Sequence, residues 1–163
     1  MHTALRHELR VDLRTPALAR RLLRQWLTGQ RWPPDEADDL VLAVSEAVTN
    51  AVEHAYPTGH FGTVRLEANE IAGPDGARHV VATVSDDGRW RPPPRDPGNR
   101  GRGLAMMRAA TYALRLDNTG TGTRVTMTSR PVPRDAHTSP EHSTNGMSGL
   151  LPLFMFCPAS GKH

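Results

Sequence analysis

A single cysteine, Cys157, rules out an internal disulfide framework and a cysteine-built zinc site. Lysine is as scarce: of the 20 basic residues, only Lys162 is lysine. Aromatic residues make up 5% of the chain, so its core must be aliphatic and rich in alanine. No run approaches the roughly 18 apolar residues that a membrane-spanning helix needs. The N-terminal MHTALRHELRVDLR lacks the apolar stretch of a secretory signal, and the expected compartment is the cytoplasm. The net charge is only +3, with acidic residues interspersed among the arginines. No compact basic stripe interleaved with aromatics exists, so neither nucleic acid nor a membrane surface is an expected partner. The eight histidines show no metal-ligand spacing. At 163 residues the chain is expected to form one domain over 1–130, followed by a tail over 131–163.

What is present is organised around residues 40–56, LVLAVSEAVTNAVEHAY. At 100° per residue, Leu40, Val44, Ala47, Val48, Ala51 and Ala55 share one side of a helix. Glu46, Asn50 and His54 step along the other side at i, i+4 and i+8. A solvated surface stripe would normally include Lys or Arg, and this one has neither. Asn is also a poor residue for the middle of an exposed helix, because its amide competes for backbone hydrogen bonds. Acceptor oxygens one turn apart suit a hard cation such as Mg²⁺, with a carboxylate beside it as base.

The remaining elements follow from pattern. Residues 4–13 alternate as an edge strand. Thr15-Pro16 reads as an N-cap with proline at the first helical position, opening a helix to about Gly29. Pro33-Pro34 breaks the chain, and Asp35 or Glu36 opens the central helix. Residues 62–69 (GTVRLEAN) and 78–85 (RHVVATVS) alternate as two strands around the turn at 73–76. The stretch RWRPPPRDPGNRGRG over 89–103 is too long and proline-rich for a tight connection and reads as a functional loop or lid. Residues 104–111 read as a helix, and 112–117 and 123–128 as two further strands. Beyond Arg130 a Pro/Ser-rich linker leads to the apolar run 150–156, LLPLFMF. This order predicts an α+β fold: a two-layer sandwich with a mixed, mostly antiparallel sheet and helices on one face.

Three short motifs add chemistry. Asp86-x-Gly88 closes a strand; it is either an ordinary turn or a carboxylate placed to accept from an exocyclic amine, with glycine admitting a flat ring. Gly101-x-Gly103 precedes a helix whose N–H groups could receive phosphate oxygens. Met106 stands where a dinucleotide fingerprint needs its third glycine, and no GxxxxGK[ST] occurs, so Rossmann and P-loop readings both fail. Gly120–Thr123, GTGT, reads as a hairpin turn.

Taken in order, LAVSEAVTNAVEHAY, VSDDG, GRGLAMM and GTGTRVTM resemble the Bergerat-fold (GHKL) ATPases over roughly residues 10–130. Within that family the chain is most similar to the small anti-sigma-factor serine kinases of partner-switching systems, the SpoIIAB and RsbW kind in its actinobacterial form. The resemblance implies ATP and Mg²⁺ as cofactors. It gives Asn50 the role of metal ligand and Glu46 that of base. Asp86 would accept from the adenine amino group, and Gly88 would let the ring lie close. Gly101, Arg102, Gly103 and Leu104 match the glycine box that wraps the phosphates, Thr123 supports the adenine end, and His54 lies at the phosphate end of the helix. One departure stands out: Asp86-Asp87-Gly88-Arg89-Trp90 lacks the second glycine of the wider superfamily's Asp-x-Gly-x-Gly.

The function so implied is a serine/threonine kinase that phosphorylates a STAS-domain anti-sigma antagonist and sequesters a sigma factor, working as a homodimer. The alternative is a non-catalytic, nucleotide-binding scaffold of the same fold. A histidine-kinase ATPase domain is a third reading, disfavoured because no helix with a phospho-accepting histidine precedes the motifs.

Overall fold

The computed structural model describes residues 4–55, 62–73, 76–88, 102–118 and 120–134. Most of the expected lid, residues 89–101, and the tail from 135 with its apolar run lie outside the described residues, as does the middle of the expected turn at 73–76.

The chain runs β1 (Leu5–Arg10), α1 (Thr15–Gly29), α2 (Pro34–Asn50) with a π-helical turn at its end (Ala51–Ala55), β2 (Thr63–Ala72), β3 (Arg78–Asp86), α3 (Arg102–Ala110), β4 (Ala113–Asn118) and β5 (Thr123–Thr128). The strands form one sheet in the order β1-β2-β3-β5-β4, and every pairing is antiparallel. The architecture is the expected α+β sandwich.

Strand alternation decides which face is buried. Leu5 and Leu9 from β1, Val64, Leu66 and Ala68 from β2, Val80, Ala82 and Val84 from β3, and Val125 and Met127 from β5 all point to the helical layer and are buried. Each such Leu, Val or Met side chain contributes roughly 1.5–3 kcal/mol on burial. The opposite face carries the ion pairs Arg65–Glu8 (2.8 Å) and Arg6–Glu67 (3.8 Å), both exposed and worth little individually.

α2 lies between α1 and α3 and against β3 and β5, which explains why it is buried on more than one side. Its core residues include Leu40, Val44, Ala47 and Val48, but also Val41, Ala43 and Ser45, outside the expected stripe. Ser45 Oγ accepts from Arg20 Nη1 on α1 at 2.9 Å. The helix begins at Pro34, a residue earlier than the acidic pair suggests. Thr15 is the first helical residue rather than the cap. Its hydroxyl instead donates to the Arg10 carbonyl (2.6 Å) and accepts from Asp12 N (3.0 Å), joining β1 to α1.

The sheet is closed at one end by charge. Glu70 and Arg78, facing the helices at the β2–β3 hairpin, form a two-pronged ion pair at 2.8 Å on both prongs, with side-chain exposures of 8% and 13%. Arg78 also donates to the Gln30 carbonyl at 2.7 Å and lies 5.0 Å from the Trp32 ring centroid, so it pins the α1–α2 turn to the sheet. Val132 exchanges backbone hydrogen bonds with Arg78 and is buried, so pairing continues two residues beyond Arg130.

Candidate nucleotide site

The other end of the same hairpin is built differently. β3 ends at Asp86, on the helix-facing side of the sheet in register with Val64. Its Oδ1 accepts from Gly88 N at 3.0 Å, the bond that a turn aspartate makes to the residue two ahead. The same oxygen accepts from Thr123 N at 3.3 Å, tying the start of β5 to the end of β3. Both bonds converge on Oδ1, which leaves Oδ2 free to accept from another group. No cation pairs with Asp86 among the described residues. Burial raises its pKa above the ordinary aspartate range; the two backbone N–H groups pull the other way, and the neighbouring Asp87 adds to the rise.

Gly122 completes this corner and is a residue that sequence reading missed. A Cβ there would overlap the Asp86 carbonyl oxygen and stand 2.9 Å from its carbon. The β4–β5 hairpin can lie against Asp86 only with glycine at this position. The sole signal in the sequence is the second glycine of GTGT. A cavity of about 270 Å³ borders the corner from the sheet face away from the helices, where Arg65, Ser85 and Arg124 line it together with Asp86, Asp87 and Thr123.

Glu46 and Asn50 lie one turn apart on α2, both half-buried. Glu46 makes no hydrogen bond or ion pair with any described residue. The π turn that follows Asn50 packs on β3, the strand that carries Asp86. Such wide turns recur at functional positions in helices. His54 belongs to this turn, but its side chain lies outside the described residues, as does Gly101. Arg102 and Leu104 in the first turn of α3 are exposed, whereas Gly103 is buried against the Glu46 side chain. The fold therefore joins the expected residues into two groups: Asp86, Gly88 and Thr123 through hydrogen bonds, and Glu46 and Gly103 through contact.

Among the described residues no group of three His, Cys, Asp or Glu side chains could hold a metal unaided. Mg²⁺ commonly takes one or two protein oxygen ligands and completes its shell with phosphates and water, so it needs no such group. Asn50 would be the ligand. The free acceptor Oδ2 of Asp86 likewise suits an exocyclic amine.

The fold is that of a nucleotide-binding ATPase domain. Residues 9–129 match the model of the histidine kinase-like ATPase domain, and the chain belongs to that family. It is 34% identical over 98 residues to the blue-light-activated histidine kinase 2 of Erythrobacter litoralis, a match covering 57% of this chain and 27% of that protein. It also resembles the crystal structure of the RsbU and RsbW domains of Rv1364c from Mycobacterium tuberculosis, with a TM-score of 0.59 and 31% identity over 80% of this chain and 34% of that one. The chain thus spans about a third or less of the length of these relatives. Membership of an ATPase family implies ATP as the nucleotide. No helix among the described residues is long and apolar enough to cross a membrane.

Proposed function

We propose that this domain is an ATP-dependent serine/threonine protein kinase and anti-sigma factor that phosphorylates a STAS-type antagonist. On this reading it sequesters a sigma factor once the antagonist is phosphorylated, and it works in the cytoplasm as a homodimer without contacting nucleic acid. The observation that carries the kinase reading is Glu46: a half-buried carboxylate with no partner among the described residues, one turn before Asn50. The RsbW domain in the mycobacterial relative supports the choice of partner class.

Phosphoryl transfer needs positioning and charge neutralisation more than covalent participation by the protein. Asp86 accepts from the adenine amine through Oδ2 while Gly88 and Thr123 hold Oδ1. Asn50 would hold Mg²⁺, and the bound ion would neutralise phosphate charge. Glu46 takes the proton of the attacking serine or threonine hydroxyl. That oxygen then bonds to the γ-phosphorus, the bond from the γ-phosphorus to the β–γ bridging oxygen breaks, and ADP leaves.

The test is phosphate transfer from labelled Mg·ATP to a STAS-domain antagonist, with nucleotide affinity measured by calorimetry. Glu46→Gln should lower transfer by about 10²–10⁴-fold with nearly unchanged affinity. Asn50→Ala should instead weaken Mg·ATP binding itself. Wild-type protein that binds ATP and transfers nothing would be the scaffold; the missing second glycine after Gly88 favours that outcome as the runner-up. Transfer at full rate in Glu46→Gln would remove the base role from Glu46.

A further inference from the structure

α3 is fixed along α2 at two levels. Near its C-terminal end, Arg130 joins the helices by pairing with Asp39 of α2 at 2.8 Å and donating to the Ala109 carbonyl at 2.7 Å. Two turns further along α2, Gly103 in the first turn of α3 meets Glu46. A Cβ at position 103 would overlap Glu46 Oε1 and stand 2.9 Å from Cδ and 3.1 Å from Cγ.

Gly103 has no positive φ, so its backbone conformation is open to any residue. Glycine is also a poor helix former, and alanine would suit a helical position better. What requires glycine is the space occupied by Glu46. Glu46, in turn, has no hydrogen bond or ion pair with a described residue, and the first turn of α3 lies against its carboxylate.

We propose that Gly103 is a positioning residue for Glu46: lacking a Cβ, it lets the first turn of α3 lie against the carboxylate and hold it for proton transfer. The catalytic part of this inference rests on the base role proposed above. It departs from the sequence expectation, in which Gly103 serves the phosphates. All three atoms that a Cβ would meet belong to the flexible end of one side chain. Gly103→Ala should therefore leave the fold intact and displace the carboxylate, and a displacement of about 1 Å at a reacting group is worth up to roughly 10²-fold in rate.

The experiment compares Gly103→Ala in three backgrounds: wild type, Glu46→Asp and Glu46→Ala. Phosphate transfer, ATP affinity and Tm are measured for each. In the wild-type background, kcat should fall about 10–100-fold while ATP affinity holds. In Glu46→Asp, whose side chain is one methylene shorter, the added alanine should bring no further loss. Gly103→Ala should raise Tm by roughly 2–5 °C in the Glu46→Ala background, where the space is vacant, and by less or nothing with Glu46 present. Equal Tm gains in both backgrounds would overturn the inference. So would a fall in ATP affinity that persists in Glu46→Asp, which would return Gly103 to the nucleotide. If the wild-type protein transfers no phosphate, the kinase reading fails, and the Tm comparison still decides whether Gly103 and Glu46 hold each other.

Discussion

Glu70 and Asp86 sit at opposite ends of the β2–β3 hairpin, both facing the helical layer, and their carboxylates are treated in opposite ways. Glu70 is gripped by Arg78 on both oxygens and sealed beneath the α1–α2 turn. Asp86 receives two backbone N–H groups on one oxygen and no cation among the described residues. A buried carboxylate that is fully paired is part of the scaffold, because its charge is already answered. One left partly unanswered, with its pKa raised by burial, is a candidate binding group, the role proposed for Asp86 above. On the proposed reading, the contrast separates structure from function within a single hairpin.

The strongest way to break the comparison is to remove the cation at the sealed end. Arg78→Ala should destabilise the domain by about 3–5 kcal/mol, since buried Glu70 loses both of its charge-assisted hydrogen bonds from the guanidinium. Replacing both, Glu70→Leu with Arg78→Met, should return most of that loss, and neither change should alter ATP affinity. Urea unfolding with calorimetry reads both quantities; an Arg78→Ala variant as stable as wild type would make the sealed end dispensable.

At the open end, Asp86→Asn should weaken ATP binding by roughly 2–4 kcal/mol, through loss of a charge-assisted bond and presentation of an NH₂ group to the adenine amine. Unchanged affinity in a titration would take adenine recognition away from Asp86.

Next in size is the chain boundary. A chain ending at Arg134 should keep wild-type stability and ATP binding. A chain ending at Arg130 loses the buried Val132 and its two hydrogen bonds to Arg78, at about 1–3 kcal/mol, and should still bind ATP. Loss of ATP binding on cutting at Arg130 would make the tail part of the site.

The smallest effect concerns pH. Burial raises Asp86 in the folded state, so the folded protein keeps this proton to higher pH than the unfolded chain. Stability is therefore lost as pH rises from the unfolded value through the folded one, and stays lower above it. Asp86→Asn removes that charge. The nucleotide-free variant should show a slightly higher Tm than wild type at neutral pH, a gain that vanishes on acidification below the ordinary aspartate range. A variant less stable than wild type at neutral pH would contradict the sign.

Most of this architecture can be read from periodicity. Alternation over GTVRLEAN and RHVVATVS locates β2 and β3, although β2 extends three residues further to Ala72, which brings Glu70 into the core. A glutamate at the end of an alternating run reads as solvent-facing until its partner eight residues on is known. The helix Glu46–Asn50 and the strand-end Asp86 were legible because their chemistry sits on regular elements. Gly122 against Asp86 and Gly103 against Glu46 were not. Each is an absence of atoms facing a residue more than 30 positions away, and local pattern carries no trace of it. The π turn after Asn50 was equally hidden, since the apolar spacing continues through it unchanged.

The sheet order has a consequence for how the chain acquires its shape. β2 and β3 are neighbours in sequence and share the longest ladder, from Val64–Asp86 to Ala72–Arg78. β1 must instead wait for β2, with both α1 and α2 between them, and its ion pair Glu8–Arg65 closes across 57 residues. Loop closure over such distances precedes the contacts that reward it, which slows folding. The central hairpin, collapsing on α2, is therefore the expected nucleus, and the N-terminal strand docks late. Truncating core side chains in β3, such as Val80 or Val84, should slow folding, whereas truncating Leu5 or Leu9 should chiefly hasten unfolding.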